Sequence, residues 1–221
     1  MEFYKNNIDW LCDQRGMTIT EFEDVIAIPK IRILDPTPHE LVKIAAYFNM
    51  DLDNIVKKDL KLLARVNAKK IKLIVLDVDG TMTDGGMYYT ESGDQIKKFN
   101  SKDGLAIKRM AGEGMIFGII SHAFRSEAIA QRAKLLSIQK VHVGQEKKSE
   151  VLDIWCKELG ISMDQVAYVG DDINDMDIME KVGFCACPAD SVKSIKKIAH
   201  VVLTRKGGDA CIREFLDEWI S

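Results

Sequence analysis

The sequence predicts an α/β protein, a Rossmann-like, doubly wound parallel sheet preceded by a small all-α module. Three observations carry this. From Ile71 onward, short β-branched runs alternate with amphipathic stretches, the pattern of parallel strands joined by crossover helices. Residues 1–62 differ in texture and read as short helices joined by turns. Two of the apolar runs lead directly into acidic clusters, at the carboxyl ends of strands where open α/β sheets bind ligands.

The run over residues 71–76 is nearly continuously apolar, as a strand covered on both faces should be. Further strands are predicted over 115–120, 141–143, 166–169, 184–186 and 200–203. Helices are predicted between them over 103–113, 127–136, 148–159, 174–181 and 191–198, with 209–220 as the last. One segment breaks the alternation: 87–90 and 95–99 flank Glu91-Ser92-Gly93-Asp94 and read as a protruding β-hairpin. No other insertion is long enough for a lid, and the α/β domain is expected over 68–221.

Apolar residues make up 47% of the 221 and charged residues 29%, ordinary for a globular protein with a real core. A net charge of -3 gives no general call for nucleic acid. Five cysteines, an odd number without paired spacing beyond Cys185-x-Cys187, point to reduced thiols. Cys185 and Cys187 read as small residues at a buried strand end rather than metal ligands. Residues 1–10 lack the basic start and apolar run of a signal peptide. No apolar stretch approaches the roughly 20 residues needed to span a bilayer. The expectation is a soluble, cytoplasmic protein with no membrane partner.

The strand ending at Leu76 runs into Asp77-Val78-Asp79-Gly80-Thr81. With one residue between them in extended chain, the two carboxylates point the same way. They repel unless a cation lies between them or one holds a proton, which suits a metal-assisted nucleophile beside a proton donor. The second cluster is Gly170-Asp171-Asp172-Ile173-Asn174-Asp175, able to complete an oxygen site for Mg²⁺. Either cluster alone reads equally well as helix capping; both together at strand ends make coincidence much less credible. Ser121, after an apolar run, could bond a phosphate oxygen or simply cap a helix. Lys148 opens a helix, where lysines are usually just solvated but where an ammonium could neutralise phosphate.

These residues, in this order, resemble the four motifs of haloacid dehalogenase-type phosphatases. Asp84-Gly85-Gly86, the hairpin, Phe99-Asn100-x-x-Asp103-Gly104, Gly207-Gly208 and Arg213-Glu214 resemble the capless subgroup, which contains the 3-deoxy-D-manno-octulosonate 8-phosphate and nonulosonate 9-phosphate phosphatases. The resemblance implies Asp77 as nucleophile, Asp79 as acid and base, and Ser121 and Lys148 as phosphoryl ligands. It implies Mg²⁺ held by Asp77, the Asp79 carbonyl and Asp171, with Asp172 and Asp175 in support. Substrate contacts are expected from Asn100, Ser101, Lys102, Asp103 and Gly104, with Lys108 and Arg132 as further candidates. In the subgroup the hairpins of four subunits pack together and help cover neighbouring sites, so a homotetramer acting on a phosphorylated sugar acid is implied.

Three departures bear on the sugar. Ser121-His122-Ala123 stands where the family has Thr-Gly-Arg, and Arg125 is a candidate replacement for that arginine. Lys102 replaces an arginine before Asp103-Gly104, a point charge for a fork. Asp209 follows Gly207-Gly208, where octulosonate enzymes tend to carry arginine.

Residues 8–57 resemble, weakly, a Cro-like helix-turn-helix, best over the last helix and the turn into Leu52. The recognition helix would occupy about 28–34, with Pro29 inside it and only Lys30 and Arg32 as nucleic-acid contacts. A packing or assembly module is favoured over DNA binding. Two alternatives to a sugar-acid phosphatase stand: a DNA-binding or ligand-sensing regulator with a phosphatase-like domain, and a phosphatase for another small ester.

Overall fold

The computed structural model describes residues 3–69, 71–123 and 127–220. It divides into two compact units, Met1–Ala68 and Lys69–Ser221. No helix among the described residues is long and apolar enough to cross a membrane.

The first unit is helical: α1 (Tyr4–Gln14), α2 (Ile19–Ile26), α3 (Lys30–Leu34), α4 (Pro38–Phe48), α5 (Leu52–Lys57), then α6 (Leu60–Lys69). Local chemistry sets several boundaries. Thr18 with Glu21 and Thr37 with Glu40 form capping boxes at α2 and α4, and Pro38 occupies the first turn of α4, where its missing N–H costs nothing. Tyr4, Ile8, Phe22, Ile33, Ile44 and Ile55 are fully buried together. Asn7 ties the ends, its Nδ2 donating to the Ile55 and Lys58 carbonyls at 2.8 and 2.6 Å. The expected helix over 28–34 is corrected: Pro29 is its N-cap, and only five residues follow as α3. Proline cannot donate in the helix ladder and disfavours helix in the residue before it. Arg32, one of the two expected nucleic-acid contacts, is paired with Glu40 at 3.1 Å.

In the second unit the strands are β1 (Leu73–Leu76), β2 (Tyr88–Tyr89), β3 (Gln95–Ile96), β4 (Ile116–Ser121), β5 (Lys140–Val143), β6 (Val166–Val169), β7 (Phe184–Cys187) and β8 (Val201–Val202). Six of them form one parallel sheet in the order β5-β4-β1-β6-β7-β8, and β2 with β3 is the separate antiparallel hairpin. The connecting helices are α7 (Ser101–Gly112), α8 (Glu127–Leu135), α9 (Lys148–Leu159), α10 (Met176–Met179), α11 (Lys193–Ile198) and α12 (Cys211–Phe215). The doubly wound α/β architecture is therefore as expected.

Leu73 and Val75 join Leu152, Trp155, Val166 and Tyr168 in a single core cluster, while the pleat turns Ile74 and Leu76, equally buried, to the other face. That double burial is why β1 reads as an unbroken apolar run. Cys185 and Cys187 lie inside β7, and all five cysteines are buried free thiols. Two predicted helices are shorter than their apolar pattern. Over 174–181 a tight turn, Ile173–Asp175, precedes α10, because the Asp175 side chain caps the turn instead of facing solvent. Over 209–220 the regular helix is only α12, followed by a wider turn at Leu216–Ile220.

Candidate active site

Asp77 follows β1, Ser121 closes β4, and Gly170-Asp171 follow β6. Leu76 pairs with Ile119 on one side and Val169 on the other, so these three chain ends lie side by side. The site sits where β1 has neighbours running outward in both directions, the crevice that open α/β sheets use for ligands. The Asp77 N–H donates to the Val169 carbonyl at 2.9 Å, extending the ladder one residue beyond the strand.

After Asp77 the chain turns sharply. Gly80 takes φ +90°, and a Cβ there would overlap the Asp171 carboxyl group. Glycine is thus needed twice, for the conformation and for the approach of the second acidic cluster. Gly207 packs behind the same turn, where a Cβ would overlap the Gly80 carbonyl oxygen. The Thr81 hydroxyl donates to Asp171 Oδ1 at 3.1 Å.

Beneath these groups Lys148, the first residue of α9, is fully buried. Its Nζ lies 2.5 Å from Asp77 Oδ1 and 2.5 Å from Asp175 Oδ1. Asp175 is saturated: Oδ1 also accepts from the Tyr168 hydroxyl at 2.6 Å, and Oδ2 accepts from the Asp171 and Asp172 N–H groups at 2.8 and 3.2 Å. It orients the cluster with no lone pair in evident surplus.

Three carboxylates therefore face one ammonium. Burial pushes Asp77 well above the usual carboxylate range, and Asp175 adds to that while Lys148 opposes it. Burial, with Asp175, raises Asp171 to about 7. Burial alone would lower Lys148, but the Asp77 and Asp175 charges outweigh it and hold the ammonium above its ordinary value. Oxygens of Asp77, Asp171 and Asp175 lie within 4.8 Å of one another. A group of hard oxygen donors short of positive charge fits a divalent cation of the Mg²⁺ type. With Asp175 committed to its four donors, Asp77 and Asp171 are the side chains best able to hold it.

A pocket of about 340 Å³ opens above, lined by Asp77, Asp79, Ser121, His122, Asp172, Ile173 and Asn174. Ser121 is buried, and its Oγ accepts from the Ala123 N–H at 3.3 Å. Asp172 is exposed and caps the following turn through the Ile173 N–H at 2.7 Å. The expected catalytic and metal residues are thus gathered at one place.

Among the described residues, the expected substrate contacts are not, and none of these lines the pocket. Asn100 Oδ1 caps α7 through the Lys102 N–H at 2.8 Å, and its Nδ2 donates to the Gly208 carbonyl at 3.0 Å. Asp103 is buried because its carboxylate holds the start of α12, accepting from the Arg213 N–H at 2.7 Å. Arg132 donates to the Asn100 carbonyl at 3.0 Å and lies over the Phe99 ring, against Gly104, where a Cβ would overlap its guanidinium. These side chains brace the fold, since each bonds a backbone group of a neighbouring segment, Arg132 sharing the Asn100 carbonyl with the Gly104 N–H at 3.2 Å. Ser101, Lys102 and Lys108 are exposed. Arg125 lies outside the described residues.

The structure also adds residues that the sequence reading missed as site components. Lys97, just after β3, pairs with Asp79 at 2.5 Å. Tyr168 bonds Asp175 from within β6. His122 Nε2 is 2.8 Å from the Glu146 carbonyl, while its Nδ1 is 3.5 Å from Asn174 Nδ2. None announces itself locally; Tyr168 looks like one more apolar strand residue.

The chain matches the model of haloacid dehalogenase-like hydrolases over residues 115–215. It is 34% identical over 150 residues to the 3-deoxy-D-manno-octulosonate 8-phosphate phosphatase of Yersinia pestis, covering 68% of this chain and 80% of that one. Among solved structures, a probable YrbI family phosphatase from Pseudomonas syringae superposes with a TM-score of 0.68 at 38% identity, covering 72% of this chain and 88% of the other. The octulosonate 8-phosphate phosphatase of Moraxella catarrhalis, solved with magnesium, phosphate and the free sugar acid, gives 0.67 at 30% identity, over 71% and 88% of the two chains.

Proposed function

Since the chain belongs to the haloacid dehalogenase-like hydrolases and is a phosphoric monoester hydrolase, we propose that it hydrolyses a sugar-acid phosphate through an aspartyl-phosphate intermediate. The ester is 3-deoxy-D-manno-octulosonate 8-phosphate or a nonulosonate 9-phosphate. One observation carries the chemistry: a buried lysine held 2.5 Å from Asp77, beneath a pocket that Asp79 and Ser121 also line.

Asp77 attacks phosphorus with Oδ2, the oxygen that Lys148 leaves free, and the ester P–O bond breaks. Asp79 gives its proton to the departing sugar oxygen, so an alcohol leaves and not an alkoxide. Asp79 then takes a proton from water as that water attacks phosphorus, and the bond to Asp77 breaks to restore the carboxylate. The Ser121 hydroxyl donates to a phosphoryl oxygen. Mg²⁺ held by Asp77, Asp171 and the Asp79 carbonyl would supply the positive charge that the transferring group demands.

The relatives' names and the sugar acid in the Moraxella structure support the substrate class. Lys102, Asp209 and the Ser121-His122-Ala123 loop keep the longer nonulosonate esters in view. Met87, Tyr88, Tyr89 and Ile96 are 49–64% exposed on the hairpin, which supports assembly into a homotetramer through that element. Tyr88→Glu with Tyr89→Glu should lower the mass seen by analytical ultracentrifugation.

The test is phosphate release with and without Mg²⁺ across a panel of sugar phosphates containing both acid classes, beside Asp77→Asn. Metal-dependent release from one of these acids, lost in the variant, supports the assignment. Turnover confined to neutral sugar phosphates would overturn the sugar-acid assignment.

A further inference from the structure

Lys97 stands at the foot of the hairpin, and its side chain is only 3% exposed although that of its partner Asp79 is 43% exposed. An ammonium this sheltered is strongly destabilising unless a counter-charge accompanies it. The constraint therefore runs from the lysine to the aspartate: Lys97 cannot turn away, and Asp79 Oδ1 is held 2.5 Å from it. The next residue, Lys98, reaches Asp84 at 2.8 Å, so two successive lysines fasten the base of the hairpin to the loop carrying Asp79. Lys98 is 67% exposed, which marks it as the ordinary surface pair of the two.

Resting on the phosphatase reading above, we infer that Lys97 is the positioning residue for Asp79 in leaving-group protonation. With Oδ1 committed to the ammonium, the proton that moves is carried on Oδ2. As the ester P–O bond breaks, its electron pair goes to the sugar oxygen and the Oδ2 proton follows. The carboxylate left behind is formed against a cation already in place, so no solvent need reorganise. When water is later deprotonated, the same oxygen takes the proton back. Lys97 touches neither phosphorus nor the leaving group and acts only through Asp79.

The leaving group separates this role from others. A sugar alkoxide needs a proton as it departs, whereas p-nitrophenolate leaves readily without one. Lys97→Met and Lys97→Gln should be compared with the wild type in single-turnover release of the leaving group, enzyme in excess and saturating, using the sugar phosphate that the wild type hydrolyses and p-nitrophenyl phosphate. Sugar release should fall roughly ten-fold or more while p-nitrophenol release falls less than about three-fold, with Lys97→Arg recovering part of the loss. Equal losses on both esters with a lowered melting temperature would make Lys97 merely structural. A raised KM with unchanged rate at saturation would make it a substrate contact. Unchanged sugar release in either neutral variant would also sink the inference while leaving the phosphatase reading intact. A wild type that cleaves neither ester removes the phosphatase reading itself, and this inference with it.

Discussion

The Thr81 hydroxyl donates to Asp171 Oδ1 at 3.1 Å, joining two acidic clusters that stand 90 residues apart in the chain. The bond takes one lone pair of Asp171 and aims the rest of the carboxylate toward Asp77. Outer groups that orient a ligand in this way are worth about 10–100-fold in metal affinity or activity when removed. Thr81→Val keeps the buried shape and deletes the donor. The Mg²⁺ concentration giving half-maximal phosphate release should rise by roughly ten-fold or more, with the melting temperature of the metal-free protein little changed. An unaltered Mg²⁺ response would show that Asp171 needs no such support.

Lys148 is the only cation among the described residues shown bonding Asp77 or Asp175, and it bonds both at 2.5 Å. Removing one partner of a buried ion pair costs about 3–5 kcal/mol, because the other charge is left uncompensated. Lys148→Met should lose stability on that scale by urea denaturation, and phosphate release should fall below detection. Adding Asp175→Asn removes the second buried charge, so the double variant should regain part of the stability and none of the activity. Strict additivity of the two changes would mean that Lys148 and Asp175 are not coupled.

How much of this could be read from the chain follows from where each partner lies. Asp77, Asp79 and Asp171 are visible because a strand's apolar run ends directly on them and the sheet topology brings such ends together. Lys148 is visible only by its place in the order of motifs, since nothing local says that a helix-opening lysine is buried. Asp103 reads as a substrate contact, yet its partner is the N–H of Arg213, 110 residues further on. The Lys97–Asp79 pair depends on how the hairpin folds back, and the spacing of 18 residues holds no periodic trace of it. Periodicity reports which face is buried; it does not report which distant backbone group a buried carboxylate satisfies.

Gly207 is placed against the turn that carries Asp79, where an added Cβ would run into the Gly80 carbonyl oxygen and come close to that of Thr83. Both obstacles are backbone, so neither can swing aside as a side chain would. Gly207→Ala should cost about 1–3 kcal/mol by urea denaturation, typical of overpacking a tight contact, and should reduce phosphate release by displacing the Asp77–Thr81 turn. Gly160→Ala is the control: its Cβ would meet nothing within 4 Å, although φ +62° makes the site mildly strained. Gly160→Ala should leave activity intact. Similar loss of activity in both variants would separate the phosphatase turn from the Gly207 contact.

Asp103 supplies a pH signature separate from the metal cluster. Burial raises its carboxyl to about 6, against opposing help from the Arg213 and Ile212 N–H groups and from Arg132, and Oδ2 has no hydrogen-bond partner. The folded chain therefore holds this proton more tightly than the unfolded chain, whose carboxyl titrates near the ordinary value of about 3.9. Its contribution to stability is fully present below that ordinary value and is lost as pH climbs through about 6. At neutral pH the buried charge is a cost, of roughly 2–3 kcal/mol at most from the size of the shift. Asp103→Asn keeps an oxygen to accept from Arg213 and removes the ionisation. It should be more stable than the wild type at pH 7.5 and nearly equal to it at pH 4, by urea denaturation in metal-free buffer. A variant less stable than the wild type at pH 7.5 would show that Asp103 is held as a carboxylate by its basic neighbours, with Arg132 the first to test.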